Sequence, residues 1–92
     1  MVNPEYAERL REKAASLPFS PGVYIMRDTA GKVIYVGKSR AIKNRVSQYF
    51  HENSGNGPKT DAMTSRIFDF DYILCDTEIE ALTLENSLIK LY

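Results

Sequence analysis

A chain of 92 residues, 43% hydrophobic and 26% charged, has the size and composition of one small globular domain, and no stretch of it approaches the roughly 20 apolar residues of a membrane span. The amino-terminus, Met1-Val2-Asn3-Pro4-Glu5, lacks the basic start and apolar run of a secretory signal, and a single cysteine, Cys75, excludes an internal disulfide; a cytoplasmic setting fits. Formal net charge is +0, lower than a nucleic-acid-binding domain usually carries, and one histidine, His51, rules out a His/Cys zinc cluster.

Asn3-Pro4 is a helix start, a capping side chain followed by proline in the first turn. Glu5 to Leu17 then places Tyr6, Leu10, Ala14 and Leu17 on one side at helical spacing, and Pro18 and Pro21 end the helix. Val23–Met26 and Lys32–Val36 read as the arms of a hairpin around the turn Asp28-Thr29-Ala30-Gly31. If Arg27 pairs with Lys32, Tyr24 stands directly opposite Tyr35. A second helix is expected from about Ser39 or Ala41 to Tyr49 or Phe50, with Ile42, Val46, Tyr49 and Phe50 apolar on one side. His51 to Pro58 reads as a loop. Lys59–Ile67 reads as a short helix with Met63 and Ile67 inward, and Phe70–Cys75 as a third strand burying the Cys75 thiol. Thr77-Glu78-Ile79-Glu80 is a capping box that opens the last helix.

The zero net charge hides an asymmetry. Arg27 to Lys59 carries seven basic residues against Asp28 and Glu52, whereas Asp61 to Glu85 carries seven acidic residues against Arg66. The first region suits phosphate; the second would repel it or meet a partner. On the last helix, Ala81, Leu82, Leu88 and Ile89 lie three and four positions from Glu85, which places a carboxylate amid an apolar face. Such a group must be paired, hydrogen-bonded, protonated or bound to a metal.

Tyr24, Tyr35, Lys38, Arg45 and Glu85 together suggest phosphodiester hydrolysis. Glu85 can hold one divalent ion, Arg45 can grip the phosphate with its planar fork, and Tyr35, with Lys38 beside it, can move a proton. Each has a plainer role available: a packed aromatic pair for the tyrosines, surface charge for Lys38 and Arg45, and a buried salt bridge for Glu85, with Arg45 as the candidate cation. Gly37-Lys38-Ser39 lacks the glycine-rich run of a nucleotide-binding loop, and no Ser-His-acid set is visible.

Gly22-Val23-Tyr24 and Tyr35-Val36-Gly37 resemble the paired motifs of the GIY-YIG nuclease superfamily. Pro21-Gly22-Val23-Tyr24, Ile34-Tyr35-Val36-Gly37-Lys38, Lys43–Phe50, Pro58-Lys59-Thr60, Glu80-Ala81-Leu82 and Leu84–Lys90 resemble, in order, the amino-terminal GIY-YIG endonuclease domains of the UvrC excinucleases. The resemblance covers roughly Leu17 to Tyr92. It implies an α/β fold, a small three-stranded antiparallel sheet flanked by helices. It implies metal-dependent incision of damaged double-stranded DNA on the 3′ side of a lesion in nucleotide excision repair, with UvrB as partner and UvrA upstream. By resemblance Tyr35 is the general base with Tyr24 beside it, Lys38 is the lysine after the second motif, Arg45 contacts phosphate, and Glu85 holds one magnesium or manganese ion. Arg40, Lys43, Asn44, His51, Lys59 and Thr60 are candidate DNA contacts; Asn44 and Thr60 suit helix capping equally, and His51 an exposed loop position.

The family continues past the position of Lys90 into a basic stretch whose asparagine lines the site, whereas this chain stops at Tyr92. Residues 1–92 are therefore expected to form one domain, with its core over about 17–92, cut from a longer protein. Two other readings stay open: a docking or DNA-binding module that is inactive in isolation, and another GIY-YIG repair nuclease.

Overall fold

A computed structural model describes residues 2–51 and 58–92, and of residues 58, 59 and 61 the backbone alone. Helix α1, Pro4–Ala15, begins where the sequence predicts: the Asn3 side chain accepts a hydrogen bond from the Glu5 N–H, and Pro4 occupies the first turn. Its buried stripe is Ala7, Leu10 and Ala14, and Leu17 joins the core just beyond its end.

Strands β1 (Gly22–Arg27) and β2 (Val33–Ser39) form the hairpin. Asp28 closes it. Its N–H donates to the Lys32 carbonyl, its carboxylate accepts from the N–H groups of Ala30 and Lys32, and Gly31 takes φ 80° in the left-handed region open to glycine. The register differs from the expected one. Arg27 pairs with Val33, Met26 with Tyr35, and Tyr24 with Gly37, so Tyr24 is not directly opposite Tyr35. Two single-residue insertions cause this. The loop holds three residues between Asp28 and Lys32, and the pairing shifts again between Met26 and Arg27, where Ile34 is the extra residue of β2. A one-residue slip turns every side chain to the opposite face. The first insertion alone would put Tyr35 on the wrong face; the bulge returns it to the face of Tyr24, as a diagonal neighbour.

Strand β3, Asp69–Leu74, pairs antiparallel with the other side of β1, giving the order β2-β1-β3. Two cations from α1 hold its beginning. Arg9 donates to the Phe68 carbonyl and packs over the Phe68 ring, while Lys13 donates to the Phe70 carbonyl and pairs with Asp69 at 3.0 Å. Burial pushes the Asp69 carboxyl up, but the Lys13 ammonium, the Phe70 N–H and the Arg9 charge together hold it below its ordinary range.

Helix α2, Ile42–Phe50, has no side-chain cap at Ala41. The Pro18–Pro21 loop supplies the missing acceptors: the Ile42 N–H donates to Ser20 and the Lys43 N–H to Pro18. Helix α3 covers Pro58–Thr64 and ends three residues sooner than predicted, although Ile67 is buried and Met63 packs on the core as expected. The loop expected over His51–Pro58 lies, from 52 to 57, outside the described residues. Helix α4, Glu78–Leu91, opens on Thr77, whose hydroxyl accepts from the Glu80 N–H.

Helices cover both faces of the sheet. Tyr24, Met26 and Phe70 join residues of α1 and α2 in the main core, and Val23, Cys75 and Ala81 form a smaller cluster under α4 with Val36, Leu84 and Leu88 against it. Cys75 is buried as expected, and burial pushes its thiol above its ordinary pKa.

Candidate active site

The two motifs meet through a glycine. Tyr24 is 1% exposed, and its ring lies over Gly37, its partner across the sheet. A Cβ built at Gly37 would stand 2.4 Å from both Cζ and Oη of Tyr24. Gly22 is constrained likewise, since a Cβ there would lie 2.7 Å from the Ile73 carbonyl oxygen. The glycines therefore admit the tyrosine and the neighbouring strand at backbone distance.

Three phenols gather on this face. The Tyr24 and Tyr49 hydroxyls share a 2.8 Å hydrogen bond, and the Tyr35 ring centroid lies 6.0 Å from that of Tyr24 and 6.5 Å from that of Tyr49. Arg45, one turn before Tyr49 on α2, sets its guanidinium 5.2 Å from the Tyr49 ring centroid. Tyr35, Arg45, Tyr49, Thr60 and Met63 line a groove of about 290 Å³.

Burial, and then the hydrogen bond shared with Tyr49, raise the Tyr24 pKa strongly, opposed by the nearby Arg45 guanidinium. Burial and the neighbouring Tyr49 also raise Tyr35, against the lowering charge of Arg45. The neighbouring Tyr24 and then Tyr49 phenols raise Arg45 in turn, against burial. At neutral pH Tyr24 and Tyr35 are protonated phenols beside a fixed cation. Tyr35 is thus not the easily ionised phenol that a neighbouring Lys38 suggested, because Lys38 does not adjoin it. Lys38 pairs with Val23, on the α4 face of the sheet, while Tyr35 pairs with Met26 on the α2 face.

Glu85 stands at the border of its apolar stripe rather than within a buried face. Ala81 is buried and Leu88 half-buried, but Leu82 and Ile89 are 44% and 54% exposed. The stripe is wider than the contact, since α4 seats only Ala81, Leu84 and Leu88 on the sheet. Glu85 itself is half-buried, and among the described residues no hydrogen bond or ion pair engages it, so the proposed bridge to Arg45 is not formed. Glu78 and Glu85 are seven residues apart, two turns along one side of α4. Glu78 reaches Arg40 at the end of β2 at 2.6 Å, which directs that side of α4 toward the edge strand. Helices α2 and α4 thus flank β2 on its two faces, one presenting Arg45 and the other Glu85.

The candidate DNA contacts separate. Asn44 is exposed on the outer side of α2, His51 is exposed at its end, and Thr60 lies within α3 on the groove wall; neither Asn44 nor Thr60 is a cap. Lys43 turns to the Phe19 ring, with its Nζ 4.8 Å from the centroid. The Lys59 side chain lies outside the described residues. The sequence reading missed Tyr49, which it took as part of the apolar side of α2; its spacing four residues after Arg45 was the available signal.

Among the described residues no group of three His, Cys, Asp or Glu side chains is assembled for a metal. A single half-buried carboxylate without a partner still fits a hard divalent ion. Magnesium binds through one or two carboxylates plus substrate phosphates and keeps much of its water.

A family model described as the UvrC-like GIY-YIG domain matches residues 20–92. The chain belongs to this family. It is 59% identical over 83 residues to UvrABC system protein C of Caldicellulosiruptor saccharolyticus, and 54% identical over 83 residues to that of Solibacter usitatus, in each case over 90% of this chain. It spans 14% and 13% of the length of these two curated relatives. Among solved structures it is similar to the GIY-YIG N-terminal endonuclease domain of UvrC from Thermotoga maritima bound to its catalytic divalent cation, magnesium. That match has TM-score 0.79 and 33% identity, and covers 92% of this chain and 91% of the other. A tyrosine-to-phenylalanine point mutant of that domain, also bound to the catalytic divalent cation, matches with TM-score 0.81 and 32% identity over 92% of this chain and 90% of the other. The α/β fold with its three-stranded antiparallel sheet is the GIY-YIG architecture.

Proposed function

We propose that this chain is the catalytic domain of a divalent-metal-dependent DNA endonuclease that makes the 3′-side incision in a damaged strand during nucleotide excision repair. The observation that carries this is the convergence of Tyr35, Tyr49 and Arg45 on one groove, with Tyr24 buried behind it on the Tyr49 hydroxyl, beside the edge strand whose other flank carries Glu85, unpartnered among the described residues. In this reading Arg45 holds the scissile phosphate and neutralises charge as it develops. Tyr35, neutral at rest, takes up the proton of the attacking water while its own proton passes to a non-bridging oxygen of the scissile phosphate, so the phenol stays neutral throughout. Tyr24 fixes Tyr49 through their shared hydrogen bond, and the Tyr49 ring seats Arg45, which limits the reorganisation needed in the transition state. Glu85 holds magnesium or manganese, which when bound supplies positive charge for the departing oxygen. Lys38, on the other face of β2, contacts the strand that flanks the scissile bond. The partners are damaged double-stranded DNA and the lesion-loading protein UvrB, with UvrA upstream, in a cytoplasmic setting. No helix among the described residues is long and apolar enough to cross a membrane.

The test is strand incision on a lesion-containing duplex in the presence of UvrB, with and without manganese. Glu85→Gln is expected to abolish 3′ incision and to weaken manganese binding, read by water-proton relaxation, without altering the circular dichroism spectrum. Incision that persists unchanged in this variant would remove Glu85 from the chemistry. A folded wild-type chain that binds UvrB but neither binds metal nor incises would favour the docking module.

A further inference from the structure

The α4 side of β2 carries a second cleft, about 110 Å³, lined by Lys38, Ser39, Arg40, Glu78 and Ala81. It is separate from the tyrosine groove, because Lys38 and Tyr35 lie on opposite faces of the strand. It holds two cations and one carboxylate. Among the described residues Lys38 has no ion-pair partner, while Arg40 is paired with Glu78 at 2.6 Å. Both side chains of that pair are largely open to water, 85% exposed for Arg40 and 55% for Glu78. An ion pair so exposed is screened and weakly held.

From this geometry we infer that the cleft is a phosphodiester subsite for DNA flanking the scissile bond, with Glu78 as the carboxylate that the phosphate displaces from Arg40. The inference rests on the nuclease reading above and extends it. Glu78 has an alternative seat once displaced. It is the first residue of α4, beside the Thr77 cap, where the helix-end field favours a negative charge. Arg40 needs no partner of its own at such exposure. A phosphate can therefore enter by exchanging one anion for another at the guanidinium, with Lys38 as the second contact. Glu78 has a discriminating effect: a neutral or weakly charged ligand gains nothing from the exchange, so occupancy follows the charge density of a nucleic-acid backbone.

Binding of a short duplex to the chain, followed against salt, tests this. One phosphate contact contributes about 0.9 to the slope of log affinity against log salt, so it accounts for roughly a 3.5-fold change between 50 and 200 mM. In the wild type, a phosphate at Arg40 displaces the Glu78 carboxylate rather than a salt anion, so the contact adds little to that slope. Glu78→Gln is expected to tighten binding about threefold at 50 mM salt and to steepen the slope by about 0.9. The gain should vanish when Arg40→Ala is present as well. An equal gain in both backgrounds, or no gain in either, would overturn the subsite. Absence of duplex binding by the wild type and by Glu78→Gln alike, at 20 mM salt, would instead overturn the nucleic-acid reading on which it rests. A thermal melt of each variant confirms that Glu78→Gln leaves the fold in place.

Discussion

Gly37→Ala sets two effects of known size against each other. Gly31 is the only glycine among the described residues with positive φ, so the backbone at Gly37 admits alanine. On that ground the change should stabilise the chain by about 0.4–1 kcal/mol, through a less flexible unfolded state. The added methyl, however, would meet Tyr24 at 2.4 Å, and the Tyr24 ring is 1% exposed with its hydroxyl bonded to Tyr49. Forcing an extra carbon into such a site costs about 1–3 kcal/mol. The clash wins, with a net loss of about 1–2 kcal/mol. For a domain of this size that lowers the thermal midpoint by roughly 4–16 °C. Thermal unfolding followed by circular dichroism reads it directly. The control is Tyr24→Leu, which keeps apolar packing but lacks the Cζ and hydroxyl that clash. In that background Gly37→Ala should become neutral or stabilising. A midpoint that falls equally in both backgrounds would refute the argument, as would a midpoint that rises in the wild type. Incision should fall with the displaced phenol, since the Tyr24 hydroxyl holds Tyr49, whose ring seats Arg45 on the groove.

Two other perturbations probe the site and its frame. Tyr49→Phe removes the 2.8 Å partner of a buried hydroxyl; a loss of about 1–2 kcal/mol is expected, with incision reduced and manganese binding retained. An unchanged melt would mean that the Tyr24–Tyr49 bond adds nothing. Asp69 has a depressed pKa, so its contribution is present above its unfolded value of about 3.9 and is lost as pH falls through the lower folded value. Asp69→Asn should therefore destabilise the chain equally from pH 5 to 8, and the difference from wild type should shrink below about pH 4. A difference that persists undiminished at pH 2.5 would place the loss in packing rather than in the ion pairs with Lys13 and Arg9.

Much of this protein is local and so legible in its sequence. Asn3-Pro4 and the Thr77 capping box mark their helices because caps act over three or four residues, and Asp28–Gly31 marks its turn because the side chain and the left-handed glycine act within it. Tyr24, Tyr35, Arg45 and Glu85 are legible as chemistry because of their residue types, and the spaced motifs point to the family. The register was not legible. It depends on a three-residue loop and a bulge at Ile34, whose small energies are settled only when Tyr24 and Tyr35 must share the core face. Nor was Tyr49, since periodicity marks it as apolar and only the packing of α2 on β1 brings its hydroxyl to Tyr24. The capture of Arg40 by Glu78 joins residues far apart in the chain, and no local rule anticipates it. The sequence determined the elements, the motifs and the candidate side chains of the site, because those follow from short-range backbone preference and residue chemistry. Tertiary structure alone decided which face of β2 each of them occupies and which charges are already paired, because those depend on register and on contacts between elements distant in the chain.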